Sequence, residues 1–287
     1  VRHGESTDNL RSVWAGWKDA PLSNHGVSSP RSAGEALSAT PFQAIYASPL
    51  KRAFTTAQAI YDAQPSPKPS FTESVLIREQ HFGVAEGKPW TYNHEPGLSL
   101  EEHFARGIWP VLTGDDERFP DGESHNDLAA RADMAIEELV MPHVWQAARE
   151  GRKGVHVALV SHGLCISHLI TQLLKRNAAE HPGGDYRGLL NTAWSRVEVD
   201  VKASKEGEPM EIREDDLPPL SAKVTHVNEH SHITDIKRQG GGIGSAAYDP
   251  KQEDIRAFFG GRTSALAHAK SNANDEVAED GDMTANA

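Results

Sequence analysis

The chain has 287 residues, 38% hydrophobic and 24% charged, enough for a large domain with a proper core. Its net charge of -12 argues against a general nucleic-acid or anionic-membrane binder, and no apolar run approaches the about 18 residues of a membrane span. A single cysteine, Cys165, leaves no intramolecular disulfide and fits a reducing compartment, so a cytoplasmic location is expected, with the nucleus also open.

The chain opens on Arg2-His3-Gly4-Glu5-Ser6, and Val1 reads as the last residue of a strand whose earlier part is missing, with a targeting peptide left open. Glycine after histidine lets backbone or a ligand approach the ring. Pro30 to Ala39 is helical by pattern. Ala44-Ile45-Tyr46-Ala47 is a short apolar run, after which Ser48 and Pro49 supply an N-cap and first position for a helix from Leu50 to Ala63. Residues 88–122 mix Gly, Pro, Trp and acids without sustained period and read as an inserted lid or side segment. Asp127 to Ala148 is helical by pattern. Val155 to Val160 is a near-continuous apolar strand of the kind buried on both faces. Ser161-His162-Gly163 follows it, and Leu164 to Lys175 carries a helical apolar stripe. Ser195 to Val201 alternates, with Val197, Val199 and Val201 on one face.

Strands alternating with helices imply an α/β, three-layer fold: a mostly parallel central sheet flanked by helices. The expected organisation is a catalytic domain over 1–201, an extension over 202–262 packed on it, and an acidic disordered tail over 263–287. Within the extension, 202–221 is charged and proline-bearing and reads as a surface excursion. The glycine-rich run from Gly240 to Gly244 lacks a Walker lysine and a flanking strand and helix, which weighs against a nucleotide loop. His226, His230 and His232 make an H-x3-H-x-H pattern beside Glu229, but histidine-rich loops without metal are commoner, and no metal is expected.

Arg2-His3 follows one strand end, His162 follows another, and Arg52 lies in the first turn after a third. In open α/β sheets ligands gather outside the carboxyl ends of the strands, so these positions converge by topology. Two guanidiniums can grip a phosphate with paired hydrogen bonds, helix amino termini add donors, and His162 can donate as well. Any one of the arginines alone would more simply be a surface ion pair. With both histidines, the set reads as a phosphate pocket. His3 is the candidate nucleophile, because a neutral imidazole can attack phosphorus and split a hydrolysis into two transfers. Phosphate monoesters hydrolyse so slowly unaided that covalent relay and charge stabilisation must together supply about 20 kcal/mol or more.

The run from Arg2 resembles the signature of the histidine phosphatase superfamily, which includes the cofactor-dependent phosphoglycerate mutases. The resemblance extends through Asn9, the segment Trp14-Ala15-Gly16-Trp17-Lys18-Asp19-Ala20-Pro21-Leu22-Ser23, and Ser48-Pro49-Leu50-Lys51-Arg52-Ala53 with Thr56-Ala57. It continues in Ile77-Arg78-Glu79-Gln80-His81-Phe82-Gly83, in Gly122-Glu123-Ser124 with Asp127 and Arg131, and in Asn191-Thr192, spanning roughly residues 1 to 200. It implies a phosphoglycerate mutase-like fold; no cofactor is expected. It also implies a pocket of Arg2, Asn9, Gly16, Arg52, His162 and Gly163, with Glu79 as the acid that protonates the leaving group. Glu86 in Ala85-Glu86-Gly87 competes for that role.

Mutases of the family usually carry adjacent arginines in the insert and an Ala-His-Gly-Asn form at the second histidine. Here the insert holds only separated Arg106 and Arg118, and the second site reads Ser161-His162-Gly163-Leu164. The secreted phytase-like branch typically has a His-Asp acid motif and several disulfides, both lacking here. The expected activity is a histidine acid phosphatase-type phosphoric monoester hydrolase acting on small phosphorylated metabolites. The alternatives are a phosphoglycerate mutase and a non-catalytic module that binds a phospho-ligand. No nucleic-acid or membrane partner is expected, and a homodimer is open.

Overall fold

Two short apolar runs ending in turn residues, joined by a more polar third, become parallel strands. β1 (Phe42–Ala47), β2 (Ser70–Glu73) and β3 (His156–Val160) pair in the order β2-β1-β3. This computed structural model describes residues 1–177, 184–213, 215–240 and 242–248; the expectations for 249–262 and for the 263–287 tail lie outside the described residues. Val1–His3 continues the sheet beside the end of β3. The Ser161 amide donates to the Val1 carbonyl at 2.9 Å, and the His3 amide to the Ser161 carbonyl at 3.0 Å. On its other flank the Arg2 amide bonds the Ala193 carbonyl at 2.9 Å, just before β4 (Trp194–Val201), which pairs antiparallel with β5 (Leu220–Glu229).

Side chains alternate across a strand, and here both faces find apolar cover. Ile45, Ala47, Ala158 and Val160 pack with Leu37 of α1 (Asn24–Leu37) and with Ala57 and Ile60 of α2 (Lys51–Ala63). Tyr46 and Leu159 join the opposite cluster. It holds Leu128 and Ile136 of α4 (His125–Leu139), Ala148 of α5 (Met141–Arg149), and Cys165 and Leu169 of α6 (Gly163–Lys175). The protein is therefore an α/β fold with helices flanking a mostly parallel sheet.

Several boundaries differ from the sequence expectation, each for a physical reason. Ser48 does not cap α2: Leu50 occupies the N-cap with no side-chain bond, because the Ser48 hydroxyl is drawn to His162 instead. The helix expected over 127–148 breaks at Val140, where φ is -111° and ψ is -53°. Pro142 lacks the N–H to continue the ladder, so it opens a second helix. α1 begins at Asn24, not at Pro30, and its cap Ser23 accepts the Gly26 amide at 2.9 Å.

The 88–122 insert is less irregular than its sequence suggests. α3 (Leu100–Ala105) starts on a Ser99/Glu102 capping box, and Trp14, Phe82, Phe104, Trp109 and Phe119 form a satellite core beneath it. A cavity of about 520 Å³ lies between β3 and β4, lined by Phe42, Ile136, Ile170, Trp194, Val197 and Val199. Neither histidine of the expected site borders it, and neither do Arg2, Arg52 or Glu79. No described helix is long and apolar enough to cross a membrane.

Candidate active site

The carboxyl ends of the first segment, β1 and β3 bring together residues that lie far apart in sequence. The His3 and His162 rings stand 4.9 Å apart between centroids. A Cβ added to Gly163 would lie 3.9 Å from Arg2 Nε, so the Arg2 side chain runs over the first residue of α6. Gly4 is needed on the other side: a Cβ there would meet the Gly26 carbonyl oxygen of α1 at 2.5 Å.

Each arginine is held by backbone oxygens and keeps one buried donor unused. Arg52 Nη2 donates to the Gly16 carbonyl at 2.7 Å and Nη1 to the Lys18 carbonyl at 3.1 Å. Arg2 Nη1 bonds the Leu189 carbonyl. Arg2 Nε, Arg52 Nε and His162 Nδ1 are buried with no hydrogen-bond partner among the described residues. Unsatisfied buried donors are costly. Three of them around one imidazole make a site that an anion would complete.

Both histidines are kept neutral. Burial, followed by the Arg52 and Arg2 charges, holds His3 well below the usual imidazole range; burial, Arg52 and His3 do the same to His162. His3 Nδ1 lies 2.6 Å from the Gly4 carbonyl, which can only accept. The proton therefore sits on Nδ1, and Nε2 carries the lone pair. The lone cysteine is no rival nucleophile. Cys165 is fully buried, and burial above all pushes its thiol up to about 12.

Ser48 is the partner of the second ring. Its Oγ lies 2.9 Å from His162 Nε2 and receives the Leu50 amide at 3.4 Å, and the tautomer that completes an anion site is the one in which this hydroxyl gives its proton to the imidazole. Nε2 then accepts, and Nδ1–H faces the pocket as a donor. Ser48→Ala removes that constraint and should lower kcat roughly tenfold, about the worth of one hydrogen bond, while Ser48→Thr retains most of it. Nitrogen-15 NMR of His162 should show a mixed tautomer in the alanine variant alone. An unchanged tautomer and rate would deny Ser48 this role.

The two acidic candidates occupy different environments. Glu79 Oε1 accepts the Gln80 amide at 3.0 Å and the Cys165 amide at 3.1 Å, while Oε2 faces the Leu164 amide at 3.4 Å. Glu79 thus stands at the amino end of α6, close to Arg2 and Arg52. Its backbone is clamped by Arg131, which pairs with Glu123 at 2.7 Å and donates to the Leu76, Arg78 and Glu79 carbonyls at 2.9, 2.8 and 2.9 Å. Glu86 instead accepts the Trp17 and Lys18 amides, both at 2.7 Å. It fixes the loop whose carbonyls hold Arg52.

Asn9 lies at the rim, with Oδ1 taken by the Ser6 amide at 2.9 Å and facing Asn191 Nδ2 at 3.4 Å. Asn191 also donates to the His3 carbonyl at 3.1 Å. Thr56 Oγ1 receives the Gly4 amide at 2.9 Å and donates to the Arg52 carbonyl at 2.8 Å, joining the His3 loop to α2. Trp17 donates to the Glu79 carbonyl at 2.7 Å and lies under the Arg78 guanidinium at 3.4 Å, so it walls the acid segment. Sequence reasoning gave Ser48, Thr56, Arg131 and Asn191 no role of this kind. Their only signal was their place in runs that already looked like the family.

The three histidines considered for a metal do not converge. His226 turns to Thr225, His230 to the Asn228 carbonyl and His232 to Thr192, and no group of three ligating side chains occurs among the described residues.

Fold and site together define an α/β protein in which two arginines and two histidines meet at the carboxyl edge of the sheet, with buried nitrogens left unpartnered. The chain belongs to the histidine phosphatase superfamily (branch 1), whose model matches residues 1–205. A 2,3-bisphosphoglycerate-dependent phosphoglycerate mutase from Gloeobacter violaceus is 30% identical over 173 residues, 60% of this chain and 73% of that protein. Among solved structures, a mycobacterial glucosyl-3-phosphoglycerate phosphatase bound to VO3 is similar at TM-score 0.56 and 22% identity, over 79% of this chain and 96% of the other. A phosphoglycerate mutase from Bacillus anthracis is similar at TM-score 0.55 and 20% identity, over 81% and 92%.

Proposed function

We propose that the protein is a phosphomonoesterase that acts on small phosphorylated metabolites through a phosphohistidine at His3. The observation that carries this reading is the set of unused buried donors on Arg2, Arg52 and His162 around a neutral His3. In the first half-reaction His3 Nε2 attacks phosphorus and the bond to the leaving oxygen breaks. Arg2, Arg52 and His162 hold the three equatorial oxygens as charge shifts onto them. Glu79 gives its proton to the departing alkoxide. Oε1 is committed to two amides, so the proton is carried on Oε2. In the second half-reaction water attacks phospho-His3, Glu79 takes up the water proton, and the nitrogen–phosphorus bond breaks to release phosphate.

Hydrolysis is favoured over mutase action by the fate of the insert arginines. Arg106 pairs with Glu95 at 2.9 Å and Arg118 with Asp127 at 2.7 Å, which leaves neither committed to a substrate carboxylate. The mutase reading is kept as the second because the 30%-identical relative is one. Supplied with a panel of phosphomonoesters and no metal or bisphosphorylated primer, the protein should release inorganic phosphate continuously. Interconversion of 2- and 3-phosphoglycerate should stay below about a hundredth of that rate. Primer-dependent interconversion with negligible phosphate release would reverse the order of the two readings. The lone buried cysteine supports a cytoplasmic site of action.

A further inference from the structure

We propose that residues 231–240 and 242–248 form a strap that positions the nucleophile loop, with His232 and Arg238 as positioning residues; the proposal rests on His3 being that nucleophile. The strap lies beyond residue 205, where the family match ends.

The His3 loop is held on two flanks. On one, the His3 carbonyl accepts the Thr192 amide at 3.2 Å. On the other, the Glu5 carbonyl accepts the Ser23 amide at 2.9 Å, at the start of α1. After β5 the chain turns through Ser231–Ile233 and grips both flanks. His232 Nε2 lies 3.3 Å from Thr192 Oγ1. That hydroxyl spends its own proton on the Asn191 carbonyl at 2.7 Å, so it accepts from His232.

Further along, Arg238 Nη2 bonds Glu5 Oε2, while Glu5 Oε1 accepts from Ser23 Oγ at 2.7 Å. Burial alone would raise the Glu5 carboxyl. The hydrogen bonds from Arg238 and Ser23 override it and hold the group below its ordinary value, so the pair stays charged.

The strap is then fastened to α1. Asn24 Nδ2 donates to the Ile243 carbonyl at 2.8 Å, the Asn24 amide to the Ala246 carbonyl at 2.9 Å, and the Tyr248 amide to the Leu22 carbonyl at 2.9 Å. Gly244 is buried against Arg238: a Cβ there would meet Arg238 Cγ at 2.6 Å. Most other strap residues are exposed, and the Arg238–Glu5 pair is itself 37% and 15% exposed. Such a segment adds little apolar burial and little global stability. What it does is tie Thr192, Glu5 and α1 together around the one residue whose placement sets the rate. Misplacing an attacking atom by about 1 Å can cost about a hundredfold, so a partial loosening is readable in kcat.

The test compares the full chain, a 1–248 form, a 1–230 form, Arg238→Gln and Arg238→Lys. Each is measured for kcat and KM on p-nitrophenyl phosphate, for Tm, and for hydrogen exchange at the Gly4, Glu5 and Ser6 amides. The 1–248 form should match the full chain. Arg238→Gln should lose about tenfold in kcat with KM changed less than about twofold and Tm nearly unmoved, and its three amides should exchange faster. Arg238→Lys should recover part of both effects, and the 1–230 form should lose at least as much as Arg238→Gln. Unchanged amide exchange in Arg238→Gln would overturn the strap whatever the rate does, and so would a kcat loss that merely follows a fall in Tm. If the full chain hydrolyses no phosphomonoester, the proposed function fails on its own and the exchange measurement still decides the strap.

Discussion

His3→Ala should reduce turnover of every phosphomonoester by a factor on the order of 10⁵ while leaving phosphate binding in place. The size follows from the chemistry: without the imidazole there is no covalent relay, and what remains is electrostatic stabilisation of a direct attack by water. The fold should tolerate the change. His3 Nδ1 bonds only the adjacent Gly4 carbonyl, and the loop is held by its own backbone bonds to Ser161 and Thr192. Arg2, Arg52 and His162 keep their donors, so inorganic phosphate should still bind the variant in calorimetry, and that binding separates loss of chemistry from loss of structure. In the unmutated protein, rapid quenching with labelled substrate should trap one acid-labile, alkali-stable phosphoryl group per chain, on His3. Near-normal turnover by the alanine variant, or a label on another residue, would remove His3 from the mechanism.

Legibility in the sequence followed how locally each feature is determined. β1, β3 and α6 were visible because their burial pattern is written in consecutive residues: the run up to Val160 and the stripe from Leu164 to Leu174 need no partner to be read. The convergence of Arg2, Arg52 and His162 could also be inferred, since the topology of an α/β sheet places such loops at one edge. β2 could not. Ser70–Glu73 is mostly exposed and is a strand only because its register against β1 supplies the hydrogen bonds. β5 carries a period-two signal in Leu220, Ala222 and Val224, but the polar residues between them read as surface until β4 is set beside it. The strap gives no periodic signal. Arg238 and Glu5 are 233 positions apart, and only the folded chain shows that they meet.

Glu79→Gln and Glu86→Gln should fail in different ways, and the difference identifies the acid. At Glu79 the carboxamide oxygen can take the place of Oε1 and keep the Gln80 and Cys165 amides. Its NH2 then falls where Oε2 met only a distant Leu164 amide. The variant should therefore fold and bind phosphate normally, yet it has no proton to give. Alkyl phosphates, whose alkoxides leave poorly unless protonated, should slow by about 10²–10³. p-Nitrophenyl phosphate, whose leaving group needs little help, should slow less than about tenfold. At Glu86 no such accommodation exists, because Trp17 and Lys18 donate to separate oxygens at 2.7 Å and an amide would turn an NH2 against one of them. The loop behind Arg52 should shift, raising KM for alkyl and aryl substrates alike. A Brønsted plot of log kcat/KM against leaving-group pKa should steepen for Glu79→Gln and stay parallel to the parent for Glu86→Gln. Steepening in the second variant and not the first would move the acid to Glu86, and would mean that the carboxylate at the amino end of α6 serves to anchor that helix.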